Sequence, residues 1–240
     1  MAQTVFKRIE KKYMLTRAQY AALQDAFTGR LQQDQYGLHT INNIYMDTDD
    51  YALIRASIEK PVYKEKLRVR SYGVPKAADT VYVELKKKFK GIVYKRRIPM
   101  ALQDASAYLH HNIKPETDGQ ILCEIDWFRH MFAVVPKVFI AYDRAAYAAL
   151  DGSELRVTFD DNIRWRQTQV QLDKGSWGSQ LLTPDQVLME VKAPDALPLW
   201  FARLLNETGV RPISFSKYGT IYTRHLLDNA FTQGGIANVS

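Results

Sequence analysis

Positively charged residues recur at every second position in parts of this chain, and that spacing restricts its possible folds. In the segment KEKLRVRS, residues 64–71, the cations alternate with residues that include Leu67 and Val69. Successive side chains of a β-strand point to opposite faces, so a strand here presents four cations on one face. They are Lys64, Lys66, Arg68 and Arg70. The apolar face must pack against another element, whereas the charged face needs water or an anion.

The same alternation recurs along the chain. In VYVELKKKF, residues 81–89, Glu84, Lys86 and Lys88 share a face opposite an apolar one. Extended to the other alternating segments, and with Lys217 added, the pattern gathers fourteen cations against four acids. The cations are Arg8, Lys12, Lys64, Lys66, Arg68, Arg70, Lys86, Lys88, Lys95, Arg97, Arg144, Arg156, Lys192 and Lys217, and the acids are Glu10, Glu84, Asp160 and Glu190.

Periodicity predicts eight strands and five helices. The strands are expected at 5–14, 39–47, 62–72, 80–90, 92–99, 136–147, 154–164 and 186–193, and the helices at 16–28, 102–112, 120–132, 196–208 and 215–230. Mostly short connections between strands favour an α+β fold, with an antiparallel eight-stranded β-tunnel, a closed or nearly closed barrel, and helices packed outside it. We expect a single domain over residues 1–230 and a disordered tail over 231–240.

The charged faces have two interpretations. On one strand alone, alternating charges are best explained as the solvated outer face of a sheet. Recurrence on many strands favours an interior, because a solvated sheet mixes signs and opposed like charges cost up to ~1 kcal/mol per pair. A basic interior requires a multivalent anion or much water. Phosphate chains fit, since arginine binds phosphate oxygens bidentately and lysine acts as a point charge.

Composition adds weaker constraints. The chain has 240 residues, with 33 Lys and Arg against 26 Asp and Glu, and its net charge of +7 slightly favours an anionic partner. Cys123 is the only cysteine, which excludes an intramolecular disulfide and a cysteine metal cluster. The first residues lack the apolar part of a signal peptide, and no uninterrupted apolar stretch reaches membrane-spanning length. We therefore expect a cytoplasmic protein without a membrane segment of its own.

Nine short segments between about residue 5 and residue 225 occur in the order that one protein family has. They are FKRIEKKYML, NNIYMDTDDY, KLRVRSYG, VYVELKKK, YKRRIP, YDRAAY, LRVTFDDNIR, LMEVK and ISFSKYGTIY. Together they resemble the CYTH-like triphosphate tunnel metalloenzymes, and within them the polyphosphate polymerase domain of the vacuolar transporter chaperone. The resemblance implies transfer of the γ-phosphate of ATP to a growing polyphosphate chain.

The resemblance also implies roles for individual residues. It implies that phosphates are bound by Lys12, Arg68, Arg70, Lys86, Lys95, Arg144, Arg156 and Lys217, with Tyr142 and Ser216 beside them. Among these, Arg68, Arg70, Arg144, Arg156 and Lys217 are assigned to catalysis. Glu190 is implied to hold Mn²⁺ or Mg²⁺, which prefer oxygen ligands. The alternation adds Arg8, Lys66 and Arg97 as phosphate ligands and Glu10 as a second metal ligand.

One departure from the family helps to choose between reactions. Hydrolytic members begin with Glu-x-Glu-x-Lys, whereas this chain has Arg8, Glu10 and Lys12 at those positions. A guanidinium in place of a carboxylate favours a site that holds phosphates over one that activates water with two metals. Two alternatives stay open: an inorganic triphosphatase or other nucleotide-processing tunnel enzyme, and a non-catalytic polyphosphate-binding module.

Partners follow from the same reasoning. The expected ligands are ATP and polyphosphate or triphosphate, and a membrane-associated partner stays open. Nucleic acid is not expected, because aromatic residues do not interleave with basic ones along the chain. Two polar clusters are interpreted as structural: Asp47, Asp49 and Asp50 as a turn after a strand, and His110 and His111 as surface residues.

Overall fold

The computed structural model describes residues 5–6, 9–90, 92–115 and 119–227. Arg8 and the tail over 231–240 lie outside the described residues, so the predictions for them stay predictions. The strands are β1 (Val5–Phe6), β2 (Ile9–Thr16), β3 (Leu31–Gln33), β4 (His39–Asp47), β5 (Tyr63–Tyr72), β6 (Thr80–Phe89), β7 (Ile92–Ala101), β8 (Val135–Ala149), β9 (Arg156–Arg166), β10 (Ser179–Gln180), β11 (Gln186–Ala193) and β12 (Pro212–Ile213).

Six α-helices are found in the described part of the chain. They are α1 (Arg17–Ala26), α2 (Ala52–Ile58), α3 (Leu102–His111), α4 (Gln120–Phe132), α5 (Leu199–Glu207) and α6 (Lys217–Ile221), and a π-helical turn, Tyr222–Leu226, continues α6. Each of the five predicted helices overlaps one of these, whereas α2 was not predicted. None of the described helices has the length and apolar character needed to cross a membrane.

All the strands join one sheet, in the order β1-β7-β6-β5-β4-β8-β9-β11-β2-β12, with β10 added on β9 and β3 on β8. Every described pairing is antiparallel. The eight predicted strands correspond to the eight long strands of this sheet, and four short strands are added to them. The predicted α+β fold with a large antiparallel sheet is therefore confirmed.

The sheet is nearly closed rather than closed. No pairing joins β7 to β2 among the described strands, but the start of the chain connects these two sides. Val5 pairs with Tyr94 of β7, and Ile9 pairs with Ala193 of β11. The four residue steps from Val5 to Ile9 span at most ~14 Å. Across the sheet β2 lies opposite β6, where Lys86 lies 4.0 Å from Glu10.

The apolar faces of the alternating strands are covered from outside, as the sequence predicts. Leu67 of β5 and Leu85 of β6 are fully buried in one cluster with Tyr108 of α3 and Phe128 of α4. A second cluster packs β2, β9 and β11 against α1 and α5. Burying a large apolar side chain contributes roughly 1.5–3 kcal/mol, so these two clusters fix which face of each strand points inward.

Two helices depart from the expected outer position. Tyr218 and Ile221 of α6 pack in a third cluster with Ile140 and Tyr142 of β8, and α2 contributes to the same cluster. Ile140, Tyr142 and Arg144 are every second residue of β8, so their side chains point to the same face of the sheet. This cluster therefore lies on the charged face. The inner face is thus filled partly by α2 and α6 and partly by charged side chains.

Candidate functional site

The inner face of the sheet gathers most of the predicted phosphate-binding residues. We define the inner face by the strand residues that point away from the two outer clusters. Its charged members are Glu10, Lys12, Asp47, Lys64, Lys66, Arg68, Arg70, Glu84, Lys86, Lys88, Lys95, Arg97, Arg144, Arg156, Asp160, Glu190 and Lys192, and α6 adds Lys217.

Glu84 is the centre of the first ion cluster. Its carboxylate is buried, and Arg68 Nε and Lys95 Nζ each lie 2.7 Å from it. Arg70 and Arg97 approach the same carboxylate to 4.0 Å. Burial would raise the pKa of Glu84, but the surrounding cations outweigh it and lower that pKa to about 2. The carboxylate is therefore ionised and holds several cations in place.

Asp160 is the centre of the second ion cluster. It is buried on β9 and accepts two hydrogen bonds from Arg144, at 2.6 and 2.8 Å, and a third from Lys217. Burial would raise the pKa of Asp160, but Arg144 and Lys217 hold it well below its usual range. Lys217 comes from α6, so this cluster depends on the helix that packs inside the sheet.

Glu190 and Glu10 form the third cluster with lysines. Lys192 Nζ lies 2.6 Å from Glu190, and Lys12 Nζ lies 3.8 Å from Glu190 and 4.0 Å from Glu10. Burial would raise the pKa of Glu190, but Lys192 and Lys12 lower it to about 2. Lys12 therefore occupies the space between the two carboxylates predicted to bind a metal.

The residues present can accommodate a divalent metal only together with phosphate. Among the described residues, no group of three or more His, Cys, Asp and Glu side chains could hold a metal ion. Mg²⁺, however, is commonly held by one or two carboxylates plus substrate phosphates. Glu190 and Glu10 supply those two carboxylates once Lys12 turns toward a bound phosphate. The donor set therefore fits a metal that enters with its anionic substrate.

The pKa values of Tyr142, which is buried, and Tyr45, which is partly buried, show how positive the inner face is. The Tyr142 hydroxyl accepts a hydrogen bond from Arg70 at 3.1 Å, and Tyr45 lies 3.3 Å from Arg68. Burial raises the pKa of a phenol, yet the pKa of both tyrosines is lowered because nearby arginines and Lys217 outweigh burial. The field that these cations create therefore favours an additional negative charge at this position.

Four lysines line the far ends of β5 and β6, and of these Lys86 lies 4.0 Å from the Glu10 carboxylate. Lys64 is directly opposite Lys88, and Lys66 is directly opposite Lys86, an arrangement that destabilises a strand pair. Burial lowers the pKa of Lys66 to about 7, and the neighbouring charges of Lys64, Lys86 and Lys12 act in the same direction, while Asp47 opposes them. These lysines would be stabilised by a bound polyanion.

We expect phosphate binding to be coupled to protonation of Lys66. A bound anion favours the ammonium form, so binding of tripolyphosphate should take up protons near neutral pH, and affinity should fall as pH rises above 7. Calorimetry in buffers of different ionisation enthalpy measures this uptake. Lys66→Met should reduce it relative to the wild type. Equal uptake by the two proteins would exclude Lys66 as the coupled group.

Three predicted residues make contacts in addition to, or instead of, those of the ion clusters. Arg156 is largely exposed, and its guanidinium lies 3.7 Å from Asp34 rather than beside the buried clusters. The Ser216 hydroxyl caps α6 by accepting a hydrogen bond from Gly219 N at 3.2 Å. The Arg97 guanidinium stacks on Tyr82, 3.4 Å from its ring centre.

Asp47 has a role that the turn prediction missed. Its buried carboxylate accepts hydrogen bonds from the backbone of Leu53 and Ile54 at the start of α2, and from the Tyr218 hydroxyl at 2.8 Å. Asp47 therefore links α2 and α6 to β4 by hydrogen bonds and indirectly positions Lys217. The alternation of β4 could have indicated this role, because Asp47 has the same spacing as Asn43 and therefore points to the inner face.

Comparison with known proteins assigns the family. A family model described as VTC domain matches residues 7–224. The chain belongs to the VTC domain family. The resemblance found in the sequence is thereby confirmed, and the match covers all three ion clusters of this VTC domain. No curated protein matches the chain in sequence.

Solved structures resemble this VTC domain in fold. A candidate adenylate cyclase from Bacillus halodurans shares 12% sequence identity at a TM-score of 0.58, over 93% of this chain and 100% of that one. A candidate adenylyl cyclase from Hippeastrum, described as having a dominant triphosphatase activity, shares 16% identity at a TM-score of 0.50, over 96% and 97% of the two chains. At such identities the likeness shows the fold alone.

Proposed function

We propose that this VTC domain is an ATP-dependent polyphosphate polymerase that binds ATP and the growing chain on its inner face. The observation that carries the proposal is the pairing of the inner carboxylates with cations. Glu84, Asp160 and Glu190 each contact at least two cations, and the pKa of each is far below neutrality. Such carboxylates are poor general bases, so they are unsuited to deprotonating water. A phosphate nucleophile, already ionised, needs no such base.

The reaction balances without a covalent enzyme intermediate. A terminal oxygen of the chain attacks the γ-phosphorus of ATP, the bond to the β,γ-bridging oxygen breaks, and ADP leaves. Arg68, Arg70 and Arg144 stabilise the charge on the equatorial oxygens and offset repulsion between the two anions. Lys217 holds Asp160 and can also contact phosphate. A divalent metal bound by Glu190 and Glu10 would supply further neutralisation of phosphate charge.

Two alternative functions would use the same face. A triphosphatase would need a group that orients or deprotonates water, and the paired carboxylates described above do not favour it. A non-catalytic module would bind polyphosphate without turnover. The products formed from ATP distinguish the polymerase, the triphosphatase and the binding module.

We expect ATP with Mn²⁺ or Mg²⁺ to yield mainly ADP and polyphosphate, resolved by gel electrophoresis and ³¹P NMR, with short polyphosphate acting as a primer. Lys95→Met should lower this activity, because Lys95 contacts Glu84 on the inner face. Arg96→Met is the matched control, since Arg96 is the next residue of β7 and contacts Glu124 on the outer face. Orthophosphate without chain product would instead assign a triphosphatase, and tight binding without turnover a binding module.

A further inference from the structure

Aromatic residues from three neighbouring strands and one loop meet at one edge of the inner face. Ring centres are 6.2 Å apart for Tyr36 and His39, 6.0 Å for His39 and Tyr72, and 5.9 Å for Tyr72 and Tyr82. The Arg97 guanidinium lies over Tyr82 and extends the row. We call these four aromatic residues the aromatic mouth. They lie where β4 and β6 begin and β5 ends.

The aromatic mouth is continuous with the phosphate-binding cations. Tyr82 is directly opposite Arg70, and His39 is directly opposite Arg144. Tyr72 follows Arg70 by two residues on the same face of β5, a distance of ~7 Å along a strand, and Arg68 is ~13 Å away. A ligand that touches Tyr72 can therefore extend a polyanionic tail along the arginines of the inner face.

The aromatic mouth is also accessible. Tyr36 is 68% exposed and Tyr72 is 50% exposed, whereas the tyrosines further inside, Tyr142 and Tyr218, are buried. The ring planes of Tyr72 and Tyr82 are inclined by 77°, so their contact is edge-on and leaves ring surface open. Packing of the core does not account for large apolar rings held in this position. Flat ligands stack on such surfaces.

The opposite ends of the same strands are built differently. There β5 and β6 present Lys64, Lys66, Lys86 and Lys88 on the inner face. Tyr63 and Phe89 also lie at that end, with ring centres 6.4 Å apart, but both alternate onto the outer face. The inner face therefore has an aromatic end and a lysine end, and among the described residues of β5 and β6 the aromatic end alone offers ring surface to a ligand.

We propose that the aromatic mouth binds the nucleobase of the nucleoside triphosphate, with the phosphates directed inward along Arg70 and Arg68. This inference rests on the proposed function, because it assigns the nucleoside part of a substrate whose phosphates occupy the inner face. Stacking accepts any base, since every base has an aromatic surface. We therefore expect ATP and GTP to bind with similar affinity. The lysine end is then left for the growing chain.

The test compares ATP with tripolyphosphate, which lacks a base. Calorimetry without metal gives the dissociation constant of each ligand for the wild type, Tyr72→Leu and Tyr82→Leu. We expect each substitution to weaken ATP binding roughly tenfold, the order of magnitude of one lost stacking partner. Tripolyphosphate binding should stay unchanged. Tyr63→Leu is the matched control, because Tyr63 is 48% exposed on the same strand but faces outward.

The outcomes separate this inference from the proposed function. If Tyr72→Leu weakens ATP and tripolyphosphate equally, or neither, the nucleobase assignment is wrong while phosphate binding stands. If the wild type binds no tripolyphosphate, the proposed function fails, and the inference fails with it. If Tyr82→Leu does not fold, Tyr72→Leu alone tests the inference. Tyr72 is 50% exposed, so its substitution should disturb folding little.

Discussion

Glu84→Gln should lower the stability of the free protein by about 3 kcal/mol at neutral pH. That figure follows from the pKa of Glu84, which the cations around it lower from 4.5 to about 2. Removing one partner of a buried ion cluster typically has an effect of this size, because the others stay buried and unpaired. In a chain of this length the melting temperature should fall by roughly 10 °C.

The control for this variant is Glu124→Gln on the outer face. Glu124 also contacts two cations, Lys87 at 3.1 Å and Arg96 at 3.5 Å, but it is less buried than Glu84. We expect its loss to change stability by less than about 1 kcal/mol. Equal melting temperatures for the two variants would show that the Glu84 cluster does not stabilise the fold.

The same cluster predicts how stability depends on pH. Because the pKa of Glu84 is lower in the folded protein, its contribution is complete above the ordinary pKa of 4.5. The contribution is lost as the pH falls from there toward 2. Glu84→Gln should remove that part of the acid sensitivity. Glu84→Gln also releases the cations around residue 84. If these cations bind tripolyphosphate, the added ligand should stabilise the variant at least as much as the wild type.

Glu190→Gln should reduce metal-dependent turnover by roughly 10²–10³-fold, the cost of losing one group that stabilises transition-state charge in other enzymes. Binding of tripolyphosphate without metal should be retained, because the substitution removes no phosphate donor. It frees Lys12 and Lys192, which lie 3.8 Å and 2.6 Å from the Glu190 carboxylate. Turnover and calorimetric binding are measured on one preparation.

A variant of Glu124 again serves as the comparison, since it changes a carboxylate paired with two cations outside the inner face. Glu124→Gln should leave both turnover and binding as in the wild type. Full activity of Glu190→Gln would remove Glu190 from the site. Loss of tripolyphosphate binding as well would mean that Glu190 organises the lysines rather than a metal.

The strands and their inward faces could be predicted from sequence because alternation is a local property. In β5, the apolar Leu67 and Val69 identify the outer face, and the cations between them follow without knowledge of any neighbour. The structure places Leu67 and Val69 under α3 and α4 as this requires. The inward position of Arg68 and Arg70 is therefore a consequence of side-chain spacing alone.

Other features depend on contacts between distant segments and could not be predicted in this way. Asp160 meets Lys217 across 57 residues, and Asp47 meets Tyr218 across 171. The helix α2 has only seven residues, and its N-cap residue Tyr51 makes no side-chain capping hydrogen bond, so its local signal is weak. Arg156 shares the inward spacing of Asp160, yet it lies near Asp34 because it is at the start of β9.

The aromatic mouth shows the same limit. Tyr72, Tyr82 and His39 belong to three strands, and no local pattern in the sequence groups them. Register brings them together, since Ile41 pairs with Tyr72 and Arg70 with Tyr82. In the aromatic mouth, aromatic and basic residues alternate across neighbouring strands rather than along the chain.

The pairing of Ile9 with Ala193 constrains the order in which the chain can fold during its synthesis. The strand β2 emerges from the ribosome before its partner β11, which is made only when Gln186–Ala193 have been translated. Contacts so distant in sequence form slowly and late. Hairpins such as β5–β6 and β6–β7 can form while β2 still exposes unpaired backbone. A chain released before residue 186 would thus carry all the described arginines of the inner face on an open sheet prone to aggregation.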